Sequence, residues 1–576
     1  MSFAAPTLDD ASTAAGRTLG PRLGSDVAWT VLVSVISFFA LLPILALVII
    51  SLTPAGEVWA HLISTVLPRA ISTTALLMLG VAGVVTAVGV TTAWLVTMCR
   101  FPGRRLFDWA LLLPLAVPTY IVAYTYVEAM DVTGPIQTAI RAVFGFSSAR
   151  DYWFPEIRSL PGAVFVMGMV LYPYVYLTTR AMFLMQSACA LDVARTLGAN
   201  PLRLFGSVAL PLARPAIAVG VTLAMMECLN DIGAVEHLGV KTLTFSIYDT
   251  WLNRGSLAGA AQMATAMLVI VFLLIWLERF ARRHQRYHQT SSRYRMLPNY
   301  RLTGWKAALA ILACSAPIVL GFVVPASVLA DVASRRLEQL SAPGFVSAVV
   351  NSVGLSLAAV VLTVLTGLLV AYTLRLRRNR LIHMIARFST IGYAVPGTVL
   401  AVGILIPSAA FDNFLDGSLR ATFGISTGLL LTGSGAVIVY GHATRFLAVA
   451  FGTLESGLQK VSPNLDMASR ALGRTAARSL VEIHMPMIKP ALATASMLVF
   501  VECMKELPAT ILLRPFNFET LSTTVYAAAS QEAFERGAVA ALAIVAVGLL
   551  PVIFLARTSS STFRDRKAAR RERAGA

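Results

Sequence analysis

Two short stretches of this sequence each place two acidic side chains four residues apart in otherwise apolar surroundings. MMECLNDIGA contains Glu227 and Asp231, and FVECMKELPA contains Glu502 and Glu506. Residues at positions i and i+4 lie on one face of a helix. Each pair is therefore expected to present two carboxylates to the same neighbour, either as oxygen donors for a cation or as halves of buried ion pairs.

The composition indicates which kind of protein surrounds these acids. The chain has 576 residues, of which 57% are hydrophobic and only 13% charged, which is too apolar for an ordinary soluble domain. Runs of roughly 20 apolar residues are long enough to cross a bilayer as helices. The sequence therefore predicts an all-α integral membrane protein.

We count about twelve such segments. They lie near 28–52, 72–98, 108–128, 160–180, 211–231, 258–278, 306–330, 348–374, 386–408, 428–451, 486–507 and 537–556. The first 25 residues do not resemble a cleaved signal peptide, so we expect the first span to remain as an anchor.

The formal charge of +18 is distributed as the positive-inside rule requires. Basic clusters at 282–295, 375–380 and 564–573 fall on one side of a twelve-span topology that begins inside the cell. This places both termini in the cytoplasm and the clusters against anionic lipid headgroups. The same distribution argues against nucleic acid as a partner.

The chain repeats itself with an offset of 275 residues between its two acidic stretches. Further pairs with small shifts in offset are Pro118 with Pro396, Arg141 with Arg420 and Thr242 with Thr520. Six spans per half is an even number, so the halves are expected to be parallel repeats related by an axis along the membrane normal.

The repeat predicts five segments along the chain. They are a cytoplasmic N-terminal arm (1–27), a first membrane-spanning repeat (28–280), a basic cytoplasmic linker (281–305), a second membrane-spanning repeat (306–557) and a basic cytoplasmic tail (558–576).

Two loops expected on the cytoplasmic side share one local pattern, at 191–211 and 464–486. In each, a short helix ends at a glycine, a second short helix follows, and a proline opens the next span. Glycine suits a helix end, and Asn200 before Pro201 suits a helix start. We call these two segments the knuckles.

The knuckles resemble the cytoplasmic signature loop of ABC importer permeases, in which Glu-Ala-Ala is followed by glycine and then by Ile-x-Leu-Pro. The matching positions are Asp192, Ala194, Gly198 and Pro211 in the first half and Ala468, Gly473, Ile483 and Pro486 in the second. The first acidic position differs in both copies, where Asp192 and Met467 replace glutamate. Asp466 is a possible substitute in the second copy.

The resemblance implies the type I ABC importer permease fold and several partners. The knuckles would dock into a homodimeric ATP-binding cassette ATPase, and a periplasmic or lipid-anchored binding protein would deliver the cargo. No Gly-x-x-x-x-Gly-Lys-Ser/Thr sequence occurs in the chain. ATP and magnesium are therefore expected on the partner subunit and no cofactor on this chain, a transport subunit of a bacterial inner membrane and not itself an enzyme.

A more specific resemblance reduces the number of candidate cargoes. The tracts LNDIGAVEHLGV and ECMKELPATILLRPFNFETLSTTVY look like those of fused two-half permeases of ferric iron importers. Thiamine and putrescine permeases belong to the same superfamily, and the thiamine type is also fused. Ferric iron is therefore the leading expectation, with thiamine or a polyamine as the alternative.

The paired acids admit two roles within such a permease. Symmetry should bring the four carboxylates together at the bundle axis, where hard oxygen donors suit a trivalent cation that passes briefly without tight binding. Alternatively, Lys505 pairs with Glu502 and Glu506 to position a gate, with Asn230 as its uncharged counterpart. His237 in a loop is expected to be solvated, and Tyr172, Tyr174 and Tyr176 are expected to pack.

Two other classes of membrane protein fit the sequence less well than a permease. In an ion-coupled secondary transporter the four acids would relay protons, but such a protein has no use for two knuckles. A membrane-embedded enzyme would need a catalytic motif such as His-Glu-x-x-His or Gly-x-Ser-x-Gly, and the sequence contains neither.

Overall fold

The computed structural model of the chain describes residues 23–54, 56–185, 200–282, 300–377 and 379–560. These residues are almost entirely helical, and their β-structure is one parallel pair, β1 Cys99–Arg100 with β2 Tyr300–Arg301. The prediction of an all-α membrane protein is confirmed.

Ten main helices lie within the described residues of the first half. They are α1 Leu23–Ser51, α2 Leu67–Met98, α3 Arg104–Ala110, α4 Thr119–Met130, α5 Pro135–Phe144, α6 Leu160–Met185, α7 Leu210–Asn230, α8 Ile232–His237, α9 Leu243–Leu252 and α10 Leu257–Arg282. Short helical segments between them are Glu57–His61, Leu62–Val66, Leu113–Ala116, Ala149–Asp151, Pro201–Leu204 and Phe205–Ala209.

The second half repeats this order. Its main helices are α11 Trp305–Ile318, α12 Val324–Ser334, α13 Pro343–Leu376, α14 Arg380–Ser389, α15 Gly397–Phe423, α16 Ala436–Gln459, α17 Pro463–Ala471, α18 Lys489–Lys505, α19 Leu521–Ser530 and α20 Phe534–Ser560. Its short segments are Val319–Val323, Leu337–Ser341, Ile391–Ala394, Ala476–Ser479, Leu480–His484, Met485–Met487 and Thr510–Leu513.

Ten helical segments among the described residues are long and apolar enough to cross a membrane, or up to twelve if each of two bent pairs counts as one. One pair, Arg104–Ala116 with Thr119–Phe144, bends by 89°, and the other, Ala476–Met487 with Lys489–Lys505, bends by 82°. The predicted segment 108–128 is therefore bent near Pro118, and the predicted segment 486–507 begins just before the second bend. Pro118, with ψ 143°, breaks the first helix, since proline removes a backbone donor and disfavours helical geometry before it.

The internal repeat is visible in matching backbone details. Pro118 and Pro396 precede their helices with the same φ of −57° and ψ of 143°. Thr242 and Thr520 both cap the helix that follows them with their side-chain oxygens. Those helices are anchored alike, because the Leu243 amide donates to Thr74 (2.9 Å) and the Leu521 amide donates to Ser352 (2.7 Å).

The first helix of each half packs against the other half. Helix α1 lies along α14 and α15, and the α11–α12 segment contacts α2, α3 and α4. At Gly403 of α15 an added Cβ would lie 2.1 Å from the Pro43 carbonyl oxygen, so only glycine permits this approach. The Tyr126 hydroxyl donates to the Leu320 carbonyl oxygen (2.7 Å) across the reciprocal contact. The two halves are thus interlocked, and the larger of the two buried hydrophobic clusters contains residues of both halves.

Candidate translocation site between the two halves

Equivalent helix ends carry the acidic pairs. Helix α7 contains Glu227 and ends at Asn230, so Asp231 is the first residue beyond it, with ψ 100°. Helix α18 contains Glu502 and ends at Lys505, so Glu506 follows it, with ψ 125°. The second acid of each pair is therefore a hinge residue and does not lie on a continuous helical face, which corrects the i, i+4 expectation.

Each hinge acid caps the short helix after it. The Asp231 carboxylate accepts a hydrogen bond from the Ala234 amide at 2.8 Å. The Glu506 carboxylate accepts from the amides of Ala509 at 2.8 Å and Thr510 at 2.9 Å. Acidic side chains are favourable at helix starts because they satisfy unpaired amides. The acid at the end of each span therefore stabilises both the end of that span and the start of the next short helix.

All four acids line one cavity between the halves. Its charged residues are Glu227, Asp231, Glu502, Glu506, Arg445 and Lys505, so carboxylates outnumber cationic groups by two. The uncharged part of its wall includes Thr119, Tyr120, Tyr174, Asn230 and Phe446. The structure therefore brings together the acids that the repeat was expected to bring together.

Glu506 is held by a buried ion pair. Arg445 Nη1 donates to Glu506 Oε1 at 2.7 Å, and the two side chains are 5% and 1% exposed. Thr510 donates its hydroxyl to the same carboxylate at 2.6 Å, and His442 Nε2 lies 3.4 Å away. Lys505 was expected to contact both acids of this half, but it pairs with Glu502 alone, at 2.9 Å.

The first half contacts the second through uncharged groups. The Tyr393 hydroxyl donates to Glu227 Oε1 at 3.1 Å. The Gly397 amide, at the start of α15, donates to Asn230 Oδ1 at 2.7 Å. Asn230 is thus a cross-half contact, whereas Lys505 forms an ion pair within its own half.

Arg445, His442 and Tyr393 were not among the residues selected from the sequence. Arg445 and His442 could have been found, because both lie in the apolar stretch VIVYGHATRFLAVAF, where an ionisable residue needs a partner. Tyr393 carries no comparable signal, since tyrosine is common in spans. Its contact depends on the break before Pro396, which a single sequence does not locate in space.

The other aromatic candidates have varied surroundings. Tyr174 lines the cavity, whereas Tyr172 and Tyr176 donate to the carbonyl oxygens of Leu111 and Asp108, both at 2.9 Å. His237 is half-buried against the ring of Tyr124, at 5.0 Å between ring centroids, and is not the solvated loop residue we expected. Burial, assisted by Arg158, lowers the pKa of His237 to about 4, so it is neutral at pH 7.

Within the described residues, no group of three or more His, Cys, Asp and Glu side chains could hold a metal ion. The four acids of the cavity are therefore arranged differently from a tight metal centre.

The first knuckle lies mostly outside the described residues, and so do Asp192, Ala194 and Gly198. At its end, Asn200 Oδ1 accepts from the Arg203 amide at 2.7 Å, which caps the helix start as expected. Pro211 is the second residue of α7.

The second knuckle is described throughout. Ala468 lies in α17, and Gly473 follows that helix with φ +73°, in the left-handed region that favours glycine. Ile483 lies in the segment Leu480–His484. Pro486 precedes the 82° bend, so the span α18 begins at Lys489 and not at the proline as expected.

Asp466 has internal partners in this knuckle. Arg375, at the end of α13, lies 2.8 Å from the Asp466 carboxylate, and His484 Nε2 also lies 2.8 Å from it. The Asp466 side chain is 17% exposed. These contacts connect the knuckle to the span before it and to the segment after it, and the role of Asp466 as a substitute for the missing glutamate stays a prediction.

Comparison with known proteins defines the family. A model described as the binding-protein-dependent transport system inner membrane component matches residues 85–287. The molybdenum transport system permease protein ModB of Escherichia coli K12 is 31% identical over 204 residues, which are 34% of this chain and 86% of ModB. The chain belongs to this family. It is therefore a multi-pass inner-membrane permease of an ABC importer.

Two other relatives extend the comparison. The Fe(3+)-transport system permease protein FbpB 2 of Haemophilus influenzae is 26% identical over 489 residues, covering 84% of this chain and 89% of that protein. The sulfate transport system permease protein CysT of Synechococcus elongatus is 27% identical over 253 residues, covering 42% of this chain and 88% of CysT. This permease thus resembles both fused and single-repeat relatives.

Proposed function

We propose that this permease moves ferric iron across the bacterial inner membrane by alternating access, with the cavity between its halves as part of the path. The observation that carries the proposal is the charge of that cavity. Four carboxyl side chains face two cationic side chains, so the formal charge of the cavity is negative by two when every group is ionised. A negative, narrow, low-dielectric site attracts cations and repels oxyanions.

The relatives that align with most of this chain support the same cargo. FbpB 2 and a putative ferric transport permease, FbpB 1, both from Haemophilus influenzae, align with 84% and 86% of this chain. The molybdenum and sulfate permeases align with 34% and 42%. A relative that spans both halves is informative about the cavity between them, whereas a single-repeat relative supplies only one wall.

The energy for transport would come from a homodimeric ATPase that binds ATP and magnesium. Its docking elements on this chain would be the two knuckles, which contain Gly198 and Gly473. Helix α17 carries Arg470, and Arg474 and Arg478 follow it in the knuckle, where they can meet an acidic groove. Both termini would then be cytoplasmic, and a periplasmic or lipid-anchored binding protein would deliver cargo to the opposite face.

The domain limits follow from this proposal. Residues 28–280 and 306–557 would form the two permease repeats, joined by a cytoplasmic linker at 281–305 and flanked by cytoplasmic segments at 1–27 and 558–576. The net negative cavity also suits an organic cation such as thiamine or a polyamine, so those cargoes belong in the test.

The test is ATP-driven uptake by the permease reconstituted with its ATPase and binding protein in proteoliposomes. Labelled ferric iron, thiamine, putrescine and molybdate would be supplied in parallel. Iron should accumulate only with hydrolysable ATP, and excess molybdate or sulfate should not compete. Accumulation of molybdate or sulfate without iron would overturn the proposal, and accumulation of thiamine or putrescine alone would replace iron as the cargo.

A further inference from the structure

A second group of oxygen donors lies on the pseudo-twofold axis, outside the set of residues that line the cavity. Tyr248 is the sixth residue after the capping Thr242, and Tyr526 is the sixth residue after the capping Thr520. The two tyrosines are therefore equivalent in the two halves. Their hydroxyl oxygens lie 3.3 Å apart. Two equivalent atoms that touch must lie on either side of the symmetry axis, so the pair marks that axis.

A carboxylate from the first half completes the group. The Tyr526 hydroxyl donates to Glu236 Oε2 at 2.6 Å. Glu236 is the fifth residue of α8, the short helix that Asp231 caps. All three side chains are half-buried, so they are held by packing but are not sealed from solvent.

We propose that Tyr248, Tyr526 and Glu236 form a transient binding site for the ferric ion where cargo enters the permease. This inference rests on the proposed function and adds a location for the ion before it reaches the cavity. Phenolate and carboxylate oxygens are hard donors, which suit a small, highly charged cation. Two tyrosines and one glutamate would supply three donors, with water or a chelator completing the coordination.

The distances between the donor atoms suit one shared ion. In octahedral coordination with metal–oxygen bonds of about 2.0–2.1 Å, neighbouring oxygens are about 2.9 Å apart. The observed separations, 2.6 Å and 3.3 Å, lie on either side of that value. The Tyr526 oxygen is thus near enough to each of the other two oxygens for all three to bind one ion after small movements of the side chains.

The site also lies close to the cavity along the chain. From Asp231, which lines the cavity, to Glu236 the chain advances by five helical residues, or about 8 Å at 1.5 Å per residue. An ion released by Tyr248 and Tyr526 would therefore find the next carboxylate, that of Asp231, about one and a half helical turns away. Burial raises the pKa of both phenols, so in the free protein they are protonated and iron must displace their protons.

The competing explanation is a latch, in which the same three side chains hold the two halves together by hydrogen bonds alone and bind no ion. The two explanations differ at Glu236→Gln. Glutamine still offers an oxygen that accepts from Tyr526, so a latch would persist. A metal site would lose a charged donor and with it at least about tenfold in iron affinity, a factor that second-shell changes alone already reach.

The experiment uses the full chain, purified in lipid nanodiscs and titrated with ferric nitrilotriacetate. Binding of iron(III) to phenolate produces a visible charge-transfer absorption, which reports tyrosine ligation directly. The wild-type chain should develop this band. Tyr248→Phe and Tyr526→Phe should each lose half of it or more, and Glu236→Gln should shift the titration midpoint at least tenfold. Tyr152→Phe is the matched control, because the Tyr152 hydroxyl bonds to Gln137 and not to a carboxylate.

Several results would overturn the site. One is a band that persists unchanged in the Tyr248→Phe, Tyr526→Phe double variant; another is a band lost in Tyr393→Phe instead, which would move the ligands to the cavity. An unchanged midpoint in Glu236→Gln would favour the latch. Uptake separates these results from the proposed function: iron transport without the band removes only this site, whereas failure to transport iron while another cargo is transported removes the function itself.

Discussion

The two halves hold equivalent hinge acids in different ways. Glu506 is paired with Arg445 and touched by His442 and Thr510, all from the second half. Asp231 is bonded to the Ala234 amide and lies beside Thr119, and among the described residues it forms no ion pair with lysine or arginine. The second half thus holds Glu506 with a cationic partner, whereas the first half holds Asp231 by uncharged groups.

The difference extends to the neighbouring backbone. Pro118 and Pro396 have the same geometry, yet the residue after them is Thr119 in the first half and Gly397 in the second. The Arg445 guanidinium occupies the space that a side chain at 397 would need. The two repeats therefore have similar backbones, and the buried Arg445 side chain is the main difference between them at this place. We infer that the second half is the scaffold and the first half supplies the acids that meet the cargo.

The largest effect is expected from removing the counter-charge. Arg445→Met leaves Glu506 charged in a site where its side chain is 1% exposed. Stranding one member of a buried ion pair costs about 3–5 kcal/mol of stability. The variant should give a lower melting temperature and less monodisperse protein in detergent.

Two companion variants sharpen that result. Val170→Met is the matched control, because Val170 lies 275 residues earlier and also lines the cavity. It leaves no charge unpaired, so it should lower the melting temperature less than Arg445→Met does. Arg445→Met with Glu506→Gln should recover part of the stability, since no buried charge is then unpaired. Wild-type stability of Arg445→Met alone would show that Glu506 does not depend on this arginine.

The next effect is steric and compares the two residues after the equivalent prolines. A Cβ at residue 397 would lie 2.8 Å from Arg445 Nη1 and 2.9 Å from both the Ala509 nitrogen and Glu506 Oε1. Gly397→Thr should therefore cost about 1–3 kcal/mol, as overpacking in a tight interior does. The measurement is thermal unfolding of the purified chain.

The reciprocal change is the control. Thr119→Gly makes the first half resemble the second but removes no counter-charge, so it should lower the melting temperature less than Gly397→Thr does. Equal effects would contradict the idea that an arginine occupies the space beside residue 397 and that no such group occupies the space beside residue 119.

Much of this arrangement was predictable from the sequence, and the limits have physical causes. The spans, the repeat and the convergence of Glu227, Asp231, Glu502 and Glu506 all follow from hydropathy and a fixed offset. The helix ends after Asn230 and Lys505 do not, because an acid at i+4 fits both a continuous helix and a cap. Only the amides that it satisfies decide between them.

The partners of the acids show a second limit. Lys505 was expected to bridge two acids because all three are neighbours in sequence. Arg445 is 61 residues from Glu506 and lies beside it only because α16 and α18 pack together. Its presence in an apolar stretch indicates that it needs a partner, but the identity of that partner depends on the tertiary structure.

A third prediction tests the first half as the one that meets the cargo. Glu227→Gln with Asp231→Asn keeps size and polarity but removes two negative charges from the cavity. Iron uptake by the reconstituted system should fall at least about tenfold, a change of about 1.4 kcal/mol in the barrier. ATP hydrolysis stimulated by the loaded binding protein should persist, because the knuckles are untouched.

The comparison between halves supplies the control for that prediction. Glu506→Gln alters one charge of the second half, and it should reduce stability more than it reduces uptake per folded molecule. Full iron uptake by the Glu227→Gln, Asp231→Asn variant would rule out an electrostatic role for these acids in transport.

The smallest effect is expected at Glu502 and Lys505, the ion pair that the sequence did predict. These side chains are 24% and 21% exposed, so water screens their attraction far more than it screens that of Arg445 and Glu506. Partly exposed pairs contribute about 0.2–1 kcal/mol, which corresponds to no more than about a fivefold change in uptake. Glu502→Gln or Lys505→Met alone should each produce a loss of this size, and the double variant should retain more uptake than either, because neither partner is left unpaired. Uptake by the double variant below that of both single variants would instead mean that the two charges act separately on the passing ion, and the second half would then share the role assigned here to the first.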